Sequence, residues 1–102
     1  MKRRTVGFAR TARADLERLC ATIADASGLD TAVDYVERVT NWCLGFEHGA
    51  ERGRRRDDIR PGIGIAGFEK RVAVAFRVAE TTVVILRVFH GGRNWERELR
   101  DS

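Results

Sequence analysis

The sequence predicts an α+β fold: a short N-terminal strand, then a two-helix antiparallel hairpin packed on one face of a mostly antiparallel sheet, in the order β-α-α-β-β-β. Three observations carry this. The first half holds two apolar stripes at helical spacing. Ser27-Gly28 separates them, and from Ile63 to His90 the hydrophobic period changes to two.

The first strand fits Thr5 to Ala9, where Val6 and Phe8 alternate with smaller residues. Thr11 suits a helix N-cap, because its hydroxyl can accept a bond from an orphan amide. The segment that follows places Leu16, Leu19, Cys20, Ile23 and Ala24 on one face. Asp30 caps the second helix, whose stripe of Ala32, Tyr35, Val36, Val39, Trp42, Cys43 and Phe46 is about 120° wide. Two one-sided helices joined by a few residues fold back on each other and share one buried face. His48-Gly49 ends the second helix. The stretch AERGRRRDDIRPG then reads as a solvated loop with Arg52, Arg54, Arg55, Arg56, Asp57, Asp58 and Arg60 clustered in it. Ile63, Ile65 and Phe68 indicate the next strand, with Gly62, Gly64 and Gly67 allowing bends or a bulge. A hairpin follows. Val72, Val74, Phe76 and Val78 alternate with Arg71, Ala73, Ala75 and Arg77, and after a turn at Glu80-Thr81 the run TVVILRVFH is apolar on both faces, as a central strand is.

A chain of 102 residues with 43% hydrophobic content suits one domain spanning residues 1–102. The net charge of +4 points to an acidic partner, either a polyanion or an acidic protein segment. Cys20 and Cys43 stand far apart on helical stripes and read as reduced core thiols, not as a metal knuckle or redox pair. The basic N-terminus lacks the apolar run of a signal peptide and no stretch reaches membrane-spanning length, so a cytoplasmic protein without a membrane partner is expected. No metal constellation, phosphate loop or nucleophile triad occurs, so no cofactor is expected.

If Ala79 and Thr82 flank a two-residue turn, Val72 faces Phe89, Val74 faces Arg87, Phe76 faces Ile85 and Val78 faces Val83. That side is bulky and should take the helices. The other side pairs Arg71 with His90, Ala73 with Val88, Ala75 with Leu86 and Arg77 with Val84, which predicts an open, shallow, cationic groove. Arg71, Ala73, Ala75, Arg77, Leu86, Val88 and His90 are its candidate partner-binding residues. Residues three apart in a regular strand point to opposite faces, so Arg87 and His90 should not share a site. Arg87 then reads as a half-buried cation paired with Glu69, Glu47 or Glu96, and Trp42 as core. Trp95 is open to two readings, a lid over the helix hairpin or a binding hot spot.

The order of elements and the stretch RPGIGIAGFEKRVAVAFRVAETTVVILRVFHGGRNWE, residues 60–96, resemble the RelE/ParE superfamily of small bacterial toxins from type II toxin–antitoxin systems. Phe89-His90-Gly91-Gly92-Arg93-Asn94-Trp95-Glu96 is similar to the ending of its ParE branch. The resemblance implies a RelE/ParE-like fold and a toxin held inactive by a cognate, ParD-like antitoxin, whose acidic C-terminal segment orders on the toxin surface. ParE relatives are associated with poisoning DNA gyrase. RelE relatives cut messenger RNA on the ribosome.

These activities ask for different residues. RNA cleavage by the 2′-hydroxyl needs a base, an acid and cations around the developing phosphorane charge. By the resemblance, Arg71 matches an arginine of the RNA-cutting branch and His90 lies near a histidine of some relatives. The lysine positions of that branch fall on Gly62 to Ile65, which holds none. A binding-type gyrase poison is therefore the favoured expectation, with Arg93, Trp95, Arg97, Arg100 and the arginine loop as the target surface. The alternatives are a ribosome-dependent endoribonuclease using Arg71 and His90, and a non-toxic relative that only binds an antitoxin.

Overall fold

The computed structural model describes residues 3–48, 53–91 and 95–101. Strand β1 (Thr5–Phe8) leads into helices α1 (Arg10–Ser27) and α2 (Leu29–Leu44), and a 3-10 turn (Gly45–Glu47) closes this half. Strands β2 (Arg54–Arg55), β3 (Ile63–Phe68), β4 (Val72–Val78) and β5 (Thr82–His90) follow, then helix α3 (Trp95–Asp101). One sheet forms in the order β1-β5-β4-β3-β2. Among the described strands only the β1–β5 pair is parallel. The expected α+β layout stands, with β5 central, and β2 and α3 are two elements beyond it.

Gly28 alone links the helices. Its φ of +94° turns the chain sharply, its N–H donates to the Ala24 carbonyl, and its own carbonyl accepts the Ala32 N–H. It therefore ends α1 and starts α2 by itself. Asp30 is not the cap expected but sits in the first turn of α2, where its charge favours the helix N-terminus. Thr11 is likewise not a cap. Ala9 holds that place, and the Thr11 hydroxyl donates to the Leu86 carbonyl at 2.6 Å. The competing acceptor is an open strand edge: β1 pairs with β5 only as far as Ile85, and beyond it α1 supplies the hydrogen bonds that a longer β1 would have made.

The main core lies between the helix hairpin and the sheet. Leu19, Val39, Phe46, Val74, Phe76, Val83, Ile85 and Val88 are buried there, with Trp42 and Phe68 packed against them. Phe46 and Phe76 meet edge to face at 4.6 Å between centroids. Gly64 opposes Phe76 across β3–β4, and a Cβ there would come within 2.6 Å of the ring. The glycine makes room for the aromatic. Neither cysteine is in a disulfide, Cys43 being buried and Cys20 half-buried.

The turn joining β3 to β4 is strained. Phe68 accepts the Arg71 N–H at 3.1 Å, and the two residues between, Glu69 and Lys70, have φ of 53° and 60°. Positive φ at both centres is the type I′ pattern, which favours Asn-Gly. An Arg38–Glu69 ion pair holds the first of them. Lys70→Gly, which leaves that pair intact, is expected to raise stability by about 0.5–1 kcal/mol, the left-handed penalty less the entropy of the added glycine. A urea midpoint unchanged or lowered would contradict this.

The β4–β5 register departs from the sequence expectation at one point. Phe76–Ile85, Arg77–Val84 and Val78–Val83 pair as expected, but Ala75 then pairs with Arg87, Val74 with Val88, Ala73 with Phe89 and Val72 with His90. Leu86 is the extra residue of a bulge, so β5 residues beyond it exchange faces. Val88 turns toward the helices. Arg87 and Phe89 join Ala75 and Ala73 on the far face. Gly91, not His90, lies across from Arg71 and donates its N–H to the Arg71 carbonyl at 3.0 Å.

Candidate partner-binding surface

The far face of the sheet carries a second, smaller core rather than an open groove. Ile63, Ala75, Phe89 and Leu99 are buried in it, with Ile59, Ile65, Ala73, Leu86 and Trp95 packed around them. Leu99 comes from α3, so the chain's own C-terminal helix covers the strip that the small side chains leave. Trp95 and Leu99, four residues apart, present one face of that helix. Trp95 thus packs on the sheet side opposite the helix hairpin, not over it.

This covering decides which of the expected residues are accessible. Of the seven residues expected on a free groove, Ala75 is fully buried beneath the second core and Val88 is 2% exposed in the main one. Ala73 and Leu86 are half-buried against the second core. Arg71 and Arg77 are exposed and His90 is half-buried. No hydrogen bond joins Arg71 to His90 among the described residues, because the bulge places them one step apart. Of the C-terminal candidates, Arg97 and Arg100 project from α3 with side chains 80% and 51% exposed, Trp95 is half-buried, and Arg93 lies outside the described residues, as does Arg52.

The arginine-rich stretch is more ordered than a solvated loop. Arg54 and Arg55 pair with Ile65 and Gly64 as an edge strand. The Arg56 guanidinium makes two 2.8 Å bonds to the Asp58 carboxylate and one of 3.2 Å to Glu96 of α3, while it lies 5.5 Å from the centroid of the Trp95 ring. Arg100 reaches the same Asp58 at 3.5 Å. The stretch therefore acts as a clasp on α3. These bonds hold Arg56 above its usual range, chiefly through Asp58 and then Glu96. The Arg56 fork pulls the Asp58 carboxyl down to about 2. Asp57 is also lowered, first by the Gly62 N–H and then by Arg55.

A carboxyl held below its usual 3.8 contributes stability that is present above that value and is lost as pH falls through the folded pKa. Asp58→Asn should therefore be less stable than the parent at neutral pH, with the gap closing between about pH 4 and pH 2. Acid unfolding curves of the two proteins check this. Curves separated by a constant amount across that window would remove the Arg56–Asp58 clasp from the account.

Arg87 is a half-buried, paired cation as expected, but its partner is Asp15, at 2.7 Å to Nε and 3.1 Å to Nη2. Glu98 of α3 lies at 3.9 Å. The three carboxylates expected for it are occupied elsewhere, Glu69 by Arg38, Glu47 by Arg3 and Glu96 by Arg56. Asp15 is 3% exposed and also accepts the Val88 N–H at 2.9 Å. The bulge brings this about by setting Arg87 at the strand edge that α1 covers. The pairing keeps the guanidinium protonated, its pKa raised first by Asp15. A trace of this was in the sequence: Asp15 interrupts an apolar stripe of α1 between Ala12 and Leu19.

Among the described residues no group of three or more His, Cys, Asp and Glu side chains could hold a metal ion, and no helix is long and apolar enough to cross a membrane. What the surface offers is cationic and aromatic: exposed arginines on β4 and α3, a half-buried tryptophan and a fixed guanidinium. Such a surface suits binding through charge and stacking.

Comparison with known proteins places this arrangement. No curated protein matches the chain. Among solved structures, the chromosomal ParDE toxin–antitoxin system from P. aeruginosa is similar, with a TM-score of 0.75 at 20% identity over 86% of this chain and 96% of that one. At that identity the likeness is one of fold. The toxin–antitoxin complex RelBE2 from Mycobacterium tuberculosis is similar with a TM-score of 0.64 at 27% identity, over 91% of this chain and 97% of that one. The family described as ParE toxin of the type II toxin-antitoxin system, parDE, matches residues 6–95. Since that span runs from β1 to the first residue of α3 and takes in both faces of the sheet, the chain belongs to the ParE toxin family of type II toxin–antitoxin systems.

Proposed function

We propose that the chain, acting as one toxin domain in the cytoplasm, is held inactive by a cognate, ParD-like antitoxin with an acidic C-terminal segment. Once free, it arrests growth by binding DNA gyrase and not by cutting RNA. The observation that carries this reading is the β4–β5 register. The bulge at Leu86 sets Gly91 across from Arg71, so the two residues an RNA-cutting site would use do not form a pair. The other central cations, Arg56 and Arg87, are engaged by carboxylates. A binding poison needs no general base. It needs an accessible surface that traps the enzyme–DNA intermediate, and Arg97, Arg100 and Trp95 on α3 supply charge and an aromatic anchor.

The antitoxin part of the reading draws support from the two similar solved structures, one a toxin–antitoxin system and the other a toxin–antitoxin complex. The excess positive charge suits an acidic segment.

Supercoiling by purified gyrase tests the target. Added protein should inhibit supercoiling, and Arg97→Ala with Arg100→Ala should relieve the inhibition while the fold is kept. Unaffected gyrase, together with growth arrest abolished by Arg71→Ala and by His90→Ala, would replace this reading with the ribonuclease. Normal growth on expression without an antitoxin would leave an interaction module only.

A further inference from the structure

A cavity of about 240 Å³ opens beside the second core, lined by Gly53, Arg54, Arg56, Ile65, Gly67 and Trp95. Its volume lies below the roughly 300–1,000 Å³ of pockets that hold whole small ligands, and is on the scale of one large side chain. The floor is apolar, formed by Ile65 and by the bare backbone at Gly67, where an added Cβ would meet nothing nearer than the Val72 carbonyl at 3.9 Å. The Trp95 indole forms a wall. Its position is fixed, because the Arg56 guanidinium lies against the ring and is itself tied to Asp58 and Glu96.

Among the described residues two cations line the cavity, and they differ. Arg56 is neutralised by its two carboxylates. Arg54 is exposed and makes no ion pair among the described residues, so it presents positive charge at the mouth. An apolar, aromatic-walled recess with an exposed guanidinium at its rim selects a flat apolar group joined to a carboxylate. A purely apolar group leaves Arg54 unused, and a phosphate gains nothing from the indole and Ile65.

We propose that this cavity takes one aromatic side chain, with an adjoining carboxylate, from an acidic peptide partner. Identifying that peptide with the antitoxin segment rests on the reading above. The chemistry of the recess does not. The aromatic ring stacks against Trp95 over Ile65 and Gly67, and the carboxylate pairs with Arg54. The clasp around Arg56 keeps the recess formed before the partner arrives, which lowers the ordering cost of binding.

The test uses the intact protein labelled with ¹⁵N and two small probes, 3-phenylpropionate and its neutral amide. The Trp95 indole N–H resonance should shift saturably with the carboxylate, while that of Trp42, on the other side of the sheet, stays in place. The amide, and the carboxylate acting on Arg54→Ala, should bind about two- to fivefold more weakly, the range expected for one exposed ion pair. Gly67→Val fills the recess and should abolish the shift, with an unchanged Trp42 resonance showing that it folds. No saturable shift at Trp95, equal affinity for the amide, or unimpaired binding by Gly67→Val would each overturn the proposal. Saturable binding by a protein that leaves gyrase and growth untouched would support the recess and remove the toxin reading.

Discussion

Asp15→Ala should lower the free energy of unfolding by about 3–5 kcal/mol, the cost of breaking a buried ion pair from one side. Native domains are stable by only about 5–15 kcal/mol, so this one change puts the fold at risk. The carboxylate accepts from Arg87 twice, at 2.7 and 3.1 Å, and from the Val88 N–H at 2.9 Å, in a site where Asp15 is 3% exposed. Alanine leaves a half-buried guanidinium and a strand amide without their acceptor. Asp15→Asn separates the two losses, since its amide oxygen still accepts the Val88 N–H while the charge is gone, and it should fall between alanine and the parent. Arg87→Met placed in the Asp15→Ala background should recover part of the loss, because an apolar pair no longer strands a charge. Urea denaturation of the four proteins measures this. A loss below about 1 kcal/mol in Asp15→Ala would make the pair no stronger than a surface salt bridge.

Phe46→Ala is expected to cost a similar amount, about 3–5 kcal/mol, through the cavity it leaves. Phe46 stands just past α2 in the 3-10 turn and is fully buried, 4.6 Å from the Phe76 ring and 5.3 Å from Trp42. Phe76 in turn occupies space that Gly64 leaves on β3, so the ring stack joins the helix hairpin to the middle of the sheet. Neighbours locked by that packing cannot close the void. For a chain of this size, thermal unfolding should fall by more than about 12 °C. Melting within a few degrees of the parent would show that the stack is not an anchor of the fold.

The helices were legible because burial on one face writes itself into spacing: Ala32, Tyr35, Val39 and Cys43 recur as an amphipathic helix requires, and all four are buried. The hairpin was legible as far as Ile85. Past that point the register slips at Leu86, and no glycine or other local cue marks the bulge. Its cause is distant, since Thr11 holds the Leu86 carbonyl and Asp15 holds the Val88 N–H, and contacts more than seventy residues apart leave no period to read. The same slip cost the candidate site its expected form, because it exchanged Val88 for Arg87 and Phe89 on the far face. α3 leaves little trace in the sequence for another reason. The segment WERELRD is mostly charged, and its two apolar residues signal a helix only once the far face is known to need covering.

The two faces of the sheet are sealed to very different depths, and this grades the chain's resistance to solvent. Among the described residues thirteen buried side chains close the core on the hairpin side and four on the other, and α3 supplies just one of those four. Backbone amides of α3 should thus trade their protons for deuterium through a partial opening that requires no denaturation of the rest, while those of Val74 and Ile85 wait for the whole molecule to come apart.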